Sequence, residues 1–206
     1  MSLSSFYSQK HRNAIAAVFI LLAVMQTLTA CSGAEEDSSV SISNDGAVKT
    51  AIVEDFDKSY YDKDELQQMI LEEVASYNRS SGQGAVTVDK VSVEEGIARV
   101  RMTYASSEDY AAFNDGIFFV GTVSEAQQAG YDLNKVLISV SDSLDTVGMS
   151  DMLAMKDVKI LITDMKETIS LDGRALYISS NVTTDKKCKT VSTSEASEEM
   201  AYIIYK

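Results

Sequence analysis

Asp62-Lys63-Asp64-Glu65-Leu66-Gln67-Gln68-Met69-Ile70-Leu71-Glu72-Glu73-Val74-Ala75-Ser76-Tyr77-Asn78 is the stretch on which the fold turns. Leu66, Met69, Ile70, Val74 and Tyr77 recur at spacings of three and four, which lays one apolar stripe along a helix over 62–78. Asp62 offers an N-cap oxygen, Glu65 follows as in a capping box, and Asn78 with Ser80-Ser81-Gly82 ends the run. The hydrophobic period then changes from about 3.6 residues to about 2. Val86 to Val93 and Ile97 to Tyr104 read as the arms of a hairpin around Glu94-Glu95-Gly96. In the second arm Ala98, Val100, Met102 and Tyr104 face in, while Arg99, Arg101 and Thr103 face out. In the first arm the alternation slips at Asp89-Lys90, the mark of a β-bulge. A capped amphipathic helix followed by an antiparallel hairpin predicts an α+β arrangement.

Downstream, Ser106 or Ser107 is placed to cap a short helix carrying Tyr110 and Phe113, with Asn114-Asp115-Gly116 as its stop. Ile117-Phe118-Phe119-Val120 is short and apolar enough for a buried strand. Thr122-x-x-Glu125 is a second capping box, and Gly130 fits the C′ position of the helix it opens. Val136 to Val140 and the Val158, Ile160, Ile162 alternation predict two strands, joined by a connection holding Met149, Met152, Leu153 and Met155. Ile169-Ser170-Leu171 and Ala175 to Ser179 flank Asp172-Gly173, a two-residue hairpin signal. Lys189 to Val191 and Ala201 to Tyr205 are the last expected strands. Helices early and strands late, without βαβ alternation, predict one α+β domain: a mainly antiparallel sheet with two or three helices in the N-terminal half.

Upstream, Val48, Thr50, Ile52, Glu54 and Phe56 alternate as a first strand. Ahead of them the chain is small, polar and acidic, too poor in apolar surface to offset its ordering entropy. Residues 31–46 are therefore expected to be a flexible tether and 47–206 the folded domain. Residues 1–30 read as an export signal: Lys10 and Arg12 precede an uncharged apolar run, and no acidic residue occurs before Glu35. That run falls short of the ~20 apolar residues a spanning helix needs. It ends in Leu28-Thr29-Ala30-Cys31, which resembles the lipobox of bacterial lipoproteins. The resemblance implies cleavage between Ala30 and Cys31 and a diacylglycerol on the Cys31 thiol. At ~0.8 kcal/mol per buried methylene, two or more acyl chains hold a protein stably on a bilayer.

Charge and residue usage exclude a good deal. The chain carries 18 Lys and Arg against 31 Asp and Glu, a net charge of −13, and both basic residues of the leader would leave with it. Nucleic acid is excluded as a partner, because binding phosphates requires Lys and Arg to displace counterions. The only histidine, His11, lies in the leader. The processed domain then has no imidazole for a Ser-His-Asp or Cys-His mechanism or for zinc. With Cys31 taken by lipid, Cys188 has no intramolecular partner. No metal site and no cofactor are implied.

The remaining candidates each have a plainer reading. Gly82-Gln83-Gly84 precedes a strand, and Gly121-Thr122 is explained by a turn and a cap, so neither is expected to cradle an anion. Asp55-Phe56-Asp57, Asp62-Lys63-Asp64-Glu65 and Asp142-Ser143-Leu144-Asp145 lack the glycine and terminal glutamate of a calcium loop and read as solvated acidic surface. Tyr104, Tyr110, Phe113, Phe118 and Phe119 read as core; Tyr60 and Tyr61, just before the main helix, are the rings a sugar platform would use. The methionines of 149–155 read as core filler. Cys188, among Lys186, Lys187 and Lys189, reads as part of a solvent-facing turn whose serine variant keeps fold and role.

Taken together, the lipobox, the acidic tether, the Tyr61-Asp62-x-x-Glu65-Leu66 helix start, Tyr110-x-x-Phe113-Asn114 and Gly121-Thr122-x-x-Glu125-Ala126 resemble small surface lipoproteins of unknown function from Gram-positive anaerobes. The resemblance implies a protein on the extracytoplasmic face of the cell membrane, attached through lipid on Cys31, and names no ligand. The expectation is a non-catalytic binding or envelope-associated domain with a protein or cell-wall partner. The alternative is a carboxylate-dependent surface hydrolase or an accessory solute-binding component of a transporter.

Overall fold

Asp62 starts the long helix as its sequence predicts. Its Oδ1 accepts the main-chain N–H groups of Asp64 at 2.8 Å and Glu65 at 3.0 Å, two donors that a first turn leaves open. In a computed structural model of the chain, which describes residues 37–206, this helix, α1, spans Lys63–Ser81. Ile70 and Val74 are buried along its stripe, with Leu66 and Tyr77 packed partly buried against the same core. Asn78 clamps the helix end to the next strand: its side chain donates to the Val86 carbonyl at 2.8 Å and accepts the Val86 N–H at 2.9 Å. The leader, Ala30 and Cys31 lie outside the described residues.

Thirteen strands and four helices occupy the described residues. In chain order they are β1 (Ser39–Ile42), β2 (Val48–Asp55), α1, β3 (Val86–Glu94), β4 (Ile97–Tyr104), α2 (Ser107–Phe113), β5 (Phe118–Gly121), α3 (Val123–Gln128), β6 (Leu137–Ser139), β7 (Thr146–Val147), α4 (Met149–Ala154), β8 (Lys159–Thr163), β9 (Thr168–Ser170), β10 (Ala175–Ile178), β11 (Val182–Thr184), β12 (Thr190–Thr193) and β13 (Ala201–Tyr205). Seven strands form one sheet in the order β11-β12-β9-β1-β2-β4-β3, and six form another in the order β5-β8-β13-β10-β6-β7. Every pairing is antiparallel except β1 with β9. The β3–β4 hairpin has the expected register, and its slip falls between Val88 and Lys90, where the alternation broke.

Burial explains the two kinds of strand sequence. The seven-stranded sheet buries one face, so β4 alternates: Ala98, Val100, Met102 and Tyr104 are all inside. That face meets α1, α2 and the inner face of the six-stranded sheet in one core, to which Val48, Val100, Ile169, Phe118, Leu161, Ile203 and Tyr205 all contribute. The six-stranded sheet is covered on both faces. Ala201, Ile203 and Tyr205 of β13 point into the shared core, whereas Tyr202 and Ile204 point into a second core with Val123 and Ala126 of α3 and Met152 of α4. Every β13 residue is therefore buried, and Ala201-Tyr202-Ile203-Ile204-Tyr205 reads as an unbroken apolar run.

Three expectations change. The α+β class holds in its broad sense, but the helices are not confined to the N-terminal half. The Met-rich connection contains α4, whose six residues are too few for a helical period to register and which forms because Met152 is fully buried beneath the six-stranded sheet. Second, the stretch expected to be tether as far as residue 46 already contains β1. Val40 and Ile42, each 4% exposed, alternate with Ser39 and Ser41 and fill the position between β2 and β9. Their period-2 pattern is masked by the polar average of the segment.

Third, Asp172-Gly173 is not a hairpin turn. β9 pairs with β12 and β1 in one sheet, and β10 pairs with β13 and β6 in the other. A two-residue type I′ turn needs positive φ at both central residues, and neither Asp172 nor Gly173 has it. Instead the Asp172 carboxylate, 8% exposed, is paired with Lys159 of β8. Arg174 exchanges main-chain hydrogen bonds of 2.7 and 3.0 Å with Lys206. The segment carries the chain from one sheet to the other.

Candidate functional site

The face that presents functional groups outward lies where β2 ends. The Phe56 N–H donates to the Gly96 carbonyl at 2.6 Å, fastening the segment after β2 to the tip of the β3–β4 hairpin. A turn follows, with the Tyr61 N–H donating to the Lys58 carbonyl at 3.0 Å, and Asp62 then caps α1. This short loop holds three rings together. Phe56 and Tyr61 stack with centroids 4.7 Å apart and planes 26° from parallel, and Tyr60 meets Tyr61 edge-on at 4.9 Å. The stacked pair covers one face of Tyr61, whereas Tyr60 is 75% exposed and Tyr61 40%.

The segments that carry these rings, and the hairpin tip fastened to them, are rich in carboxylates. Glu54, Asp55, Asp57, Asp62, Asp64 and Glu65 come from the loop and its flanks, and Glu94 and Glu95 from the hairpin tip; the same segments carry only Lys58 and Lys63 as cations. Lys58 pairs with Asp57 at 2.9 Å, and that contact holds the Asp57 carboxyl below its usual range. Partial burial, and then the neighbouring Asp55 charge, raise Glu54. The chain enters the fold at this same end, because the Ser38 Oγ accepts the Val53 N–H at 2.9 Å.

A second polar group lies inside the core. Tyr110 of α2 donates its phenol to Glu167, on the link from β8 to β9 and 57 residues away. The Glu167 N–H donates to Thr193 Oγ1 at 2.8 Å, and that hydroxyl donates to the Met165 carbonyl at 2.8 Å. Glu167 Oε2 is buried without a hydrogen-bond partner. Burial, reinforced by the Asp164 charge, pushes the Glu167 carboxyl up to about 7 even though the Tyr110 hydrogen bond lowers it. Burial likewise raises Tyr104 to about 12 and raises Tyr110 strongly. Tyr104 and Phe118 pack edge-on against the Tyr110 ring at 4.9 and 4.8 Å. The arrangement holds a proton within a packed aromatic cluster in which Tyr110 is buried.

The other residues singled out in the sequence fall where their plainer readings put them, with one exception. Gly82 and Gly84 take positive φ and serve as the helix stop and the turn into β3. At Gly121-Thr122 the full capping box forms, and Glu125 Oε2 takes the Thr122 N–H at 2.7 Å, so the donor an anion would need is used. Asp142 and Asp145 shape the β6–β7 turn, where Asp142 Oδ1 accepts the Leu144 N–H at 3.0 Å and Asp145 accepts the Tyr177 phenol at 3.1 Å. Among the described residues no group of three His, Cys, Asp or Glu side chains is placed to hold a metal ion. Tyr104, Tyr110 and Phe118 are core, and Met152 is fully buried. Cys188 is the exception: it does sit in the β11–β12 turn, at φ +57°, but it is half-buried and packs against the main core instead of facing solvent. Its carbonyl accepts the Ala175 N–H at 2.7 Å, which explains why the turn is drawn inward.

Sequence reasoning named Tyr60 and Tyr61 but missed Phe56 as their stacking partner, which an aromatic five residues before Tyr61 in a loop could have suggested. It missed Glu167 and took Asp172 only for a turn residue, since their partners Tyr110 and Lys159 come from distant segments. No protein-family model, no curated protein and no solved structure matches this chain. Among the described residues no helix is long and apolar enough to cross a membrane.

Proposed function

We propose that the chain is a lipoprotein held on the extracytoplasmic face of the cell membrane through Cys31, and that its folded body is a non-catalytic binding domain of the cell envelope. The observation that carries this reading is the Leu28-Thr29-Ala30-Cys31 box behind a basic start and a short apolar run. The binding face is the aromatic tip, where Tyr60 and Tyr61 stand exposed beside the half-buried Phe56, because large rings left in water at a loop are a surface that gains free energy when covered.

A hydrolase reading would need two carboxylates facing each other across an open site. Glu167, the most strongly raised carboxyl, has one oxygen on Tyr110 and the other buried, which supports a packing role. Cys31→Ser tests the anchor. Membrane fractions of cells making the native chain should hold a form lacking residues 1–30 and carrying added acyl mass. The variant should keep its leader or leave the membrane; a Cys31→Ser protein that is still processed and anchored refutes the reading.

A further inference from the structure

From the exposed rings and the charge around them, we infer that the Phe56-Tyr60-Tyr61 tip docks a cationic, Lys- or Arg-rich segment of a partner protein. The inference rests on the tip being the binding face and adds the chemistry of what it binds. Three observations carry it. Phe56 and Tyr61 use their stacked faces on each other, so the ring surface left for a partner belongs mainly to Tyr60, which is 75% exposed. Tyr60 is braced by the edge contact with Tyr61 at 4.9 Å, so the ring is positioned before a partner arrives. The eight carboxylates of the loop, its flanks and the hairpin tip outnumber the two lysines, and one of those lysines is occupied by Asp57.

An aromatic face attracts a guanidinium or ammonium group through its quadrupole, and surrounding carboxylates both strengthen that attraction and steer the cation in. The same charge repels anionic polymers and anionic lipid headgroups. A neutral glycan can donate hydroxyl hydrogen bonds to carboxylates but gains no attraction between opposite charges from them, and the Phe56–Tyr61 stack takes up one face of each of those two rings. Charge complementarity therefore selects a basic peptide over both. Arginine fits best, because its planar guanidinium stacks on an aromatic ring and still offers N–H donors to carboxylates.

The test uses the full chain in neutral detergent micelles, so that it reads binding whether or not Cys31 is lipidated. Deca-arginine is titrated by calorimetry at low and at moderate salt, beside a neutral N-acetylglucosamine oligomer. Tyr60→Ala should weaken deca-arginine binding about 2- to 5-fold, the range of an exposed cation–π contact, and Tyr60→Phe should restore it. Because Tyr60 is exposed, its removal should leave the melting temperature unchanged. Glu94→Gln with Glu95→Gln should weaken binding more than Glu198→Gln with Glu199→Gln, an exposed pair tied to Asn181 at the far edge of the seven-stranded sheet. Equal losses from the two pairs, or no loss from Tyr60→Ala, would show general attraction to an acidic protein and overturn the inference. Tighter binding of the glycan that Tyr60→Ala abolishes would keep the tip as the binding face and overturn only the cationic partner.

Discussion

Replacing Glu167 by glutamine should make the protein's stability much less sensitive to pH. In the folded chain the carboxyl is raised from 4.5 to about 7, first by burial and then by the Asp164 charge. Below about pH 4.5 it is protonated whether the chain is folded or not, and the packed site costs nothing extra in charge. Between 4.5 and about 7 the folded state alone retains the proton, so each unit rise in pH removes about 1.4 kcal/mol of stability. Above 7 the carboxyl is ionised in both states and the loss is complete, on the order of 3 kcal/mol across the window. Glutamine has the shape of the protonated acid and still offers Oε1 to the Tyr110 phenol, but it carries no charge to bury. The variant and the native protein should therefore be similar at pH 4.5, and the variant should be ~3 kcal/mol more stable at pH 8. For a chain of this size that corresponds to roughly 6–12 °C in melting temperature. The assay is a pair of urea titrations at each pH, in which the difference between the two proteins cancels the general self-repulsion of an acidic chain. A constant difference at pH 4.5 and pH 8 would refute the reasoning. It would mean that Glu167 ionises as freely in the folded state as in water.

Four further substitutions, in two pairs, probe the fold away from that site. Ile70→Ala on the buried face of α1 should cost ~2–5 kcal/mol, whereas Glu72→Ala on the exposed face, which loses only a 2.8 Å contact with Gln68, should stay within ~0.5 kcal/mol in the same titration; equal losses would mean the helix packs by another face. Gly173→Ala would place a Cβ 2.5 Å from the Lys206 carbonyl carbon, a main-chain atom that cannot swing aside, and should cost ~1–3 kcal/mol. Arg174→Ala, whose side chain is exposed, should change the melting temperature little, and a Gly173→Ala protein as stable as the native one would show that the crossover there is looser than described.

Where a residue acts through its near neighbours, the sequence alone determined the outcome. The cap of α1, its apolar stripe, the β3–β4 register with its bulge, and the Thr122–Glu125 box all depend on residues within a few positions of one another. The same locality made the rings at 60 and 61 readable. Tertiary structure alone decided which sheet a strand joins. Alternation tells which side of a strand is buried but not what lies beside it, so Ile169 and Ala175 could be read as strands while their assignment to opposite sheets could not. Burial of Val40 and Ile42 between β2 and β9 drew into the sheet a segment whose composition is that of a tether. Burial of Met152 turned a loop into α4. Glu167 is the clearest case, because its raised carboxyl exists only once β8, β9 and α2 enclose it; the cost of placing a charge there belongs to the packed core and to no stretch of sequence.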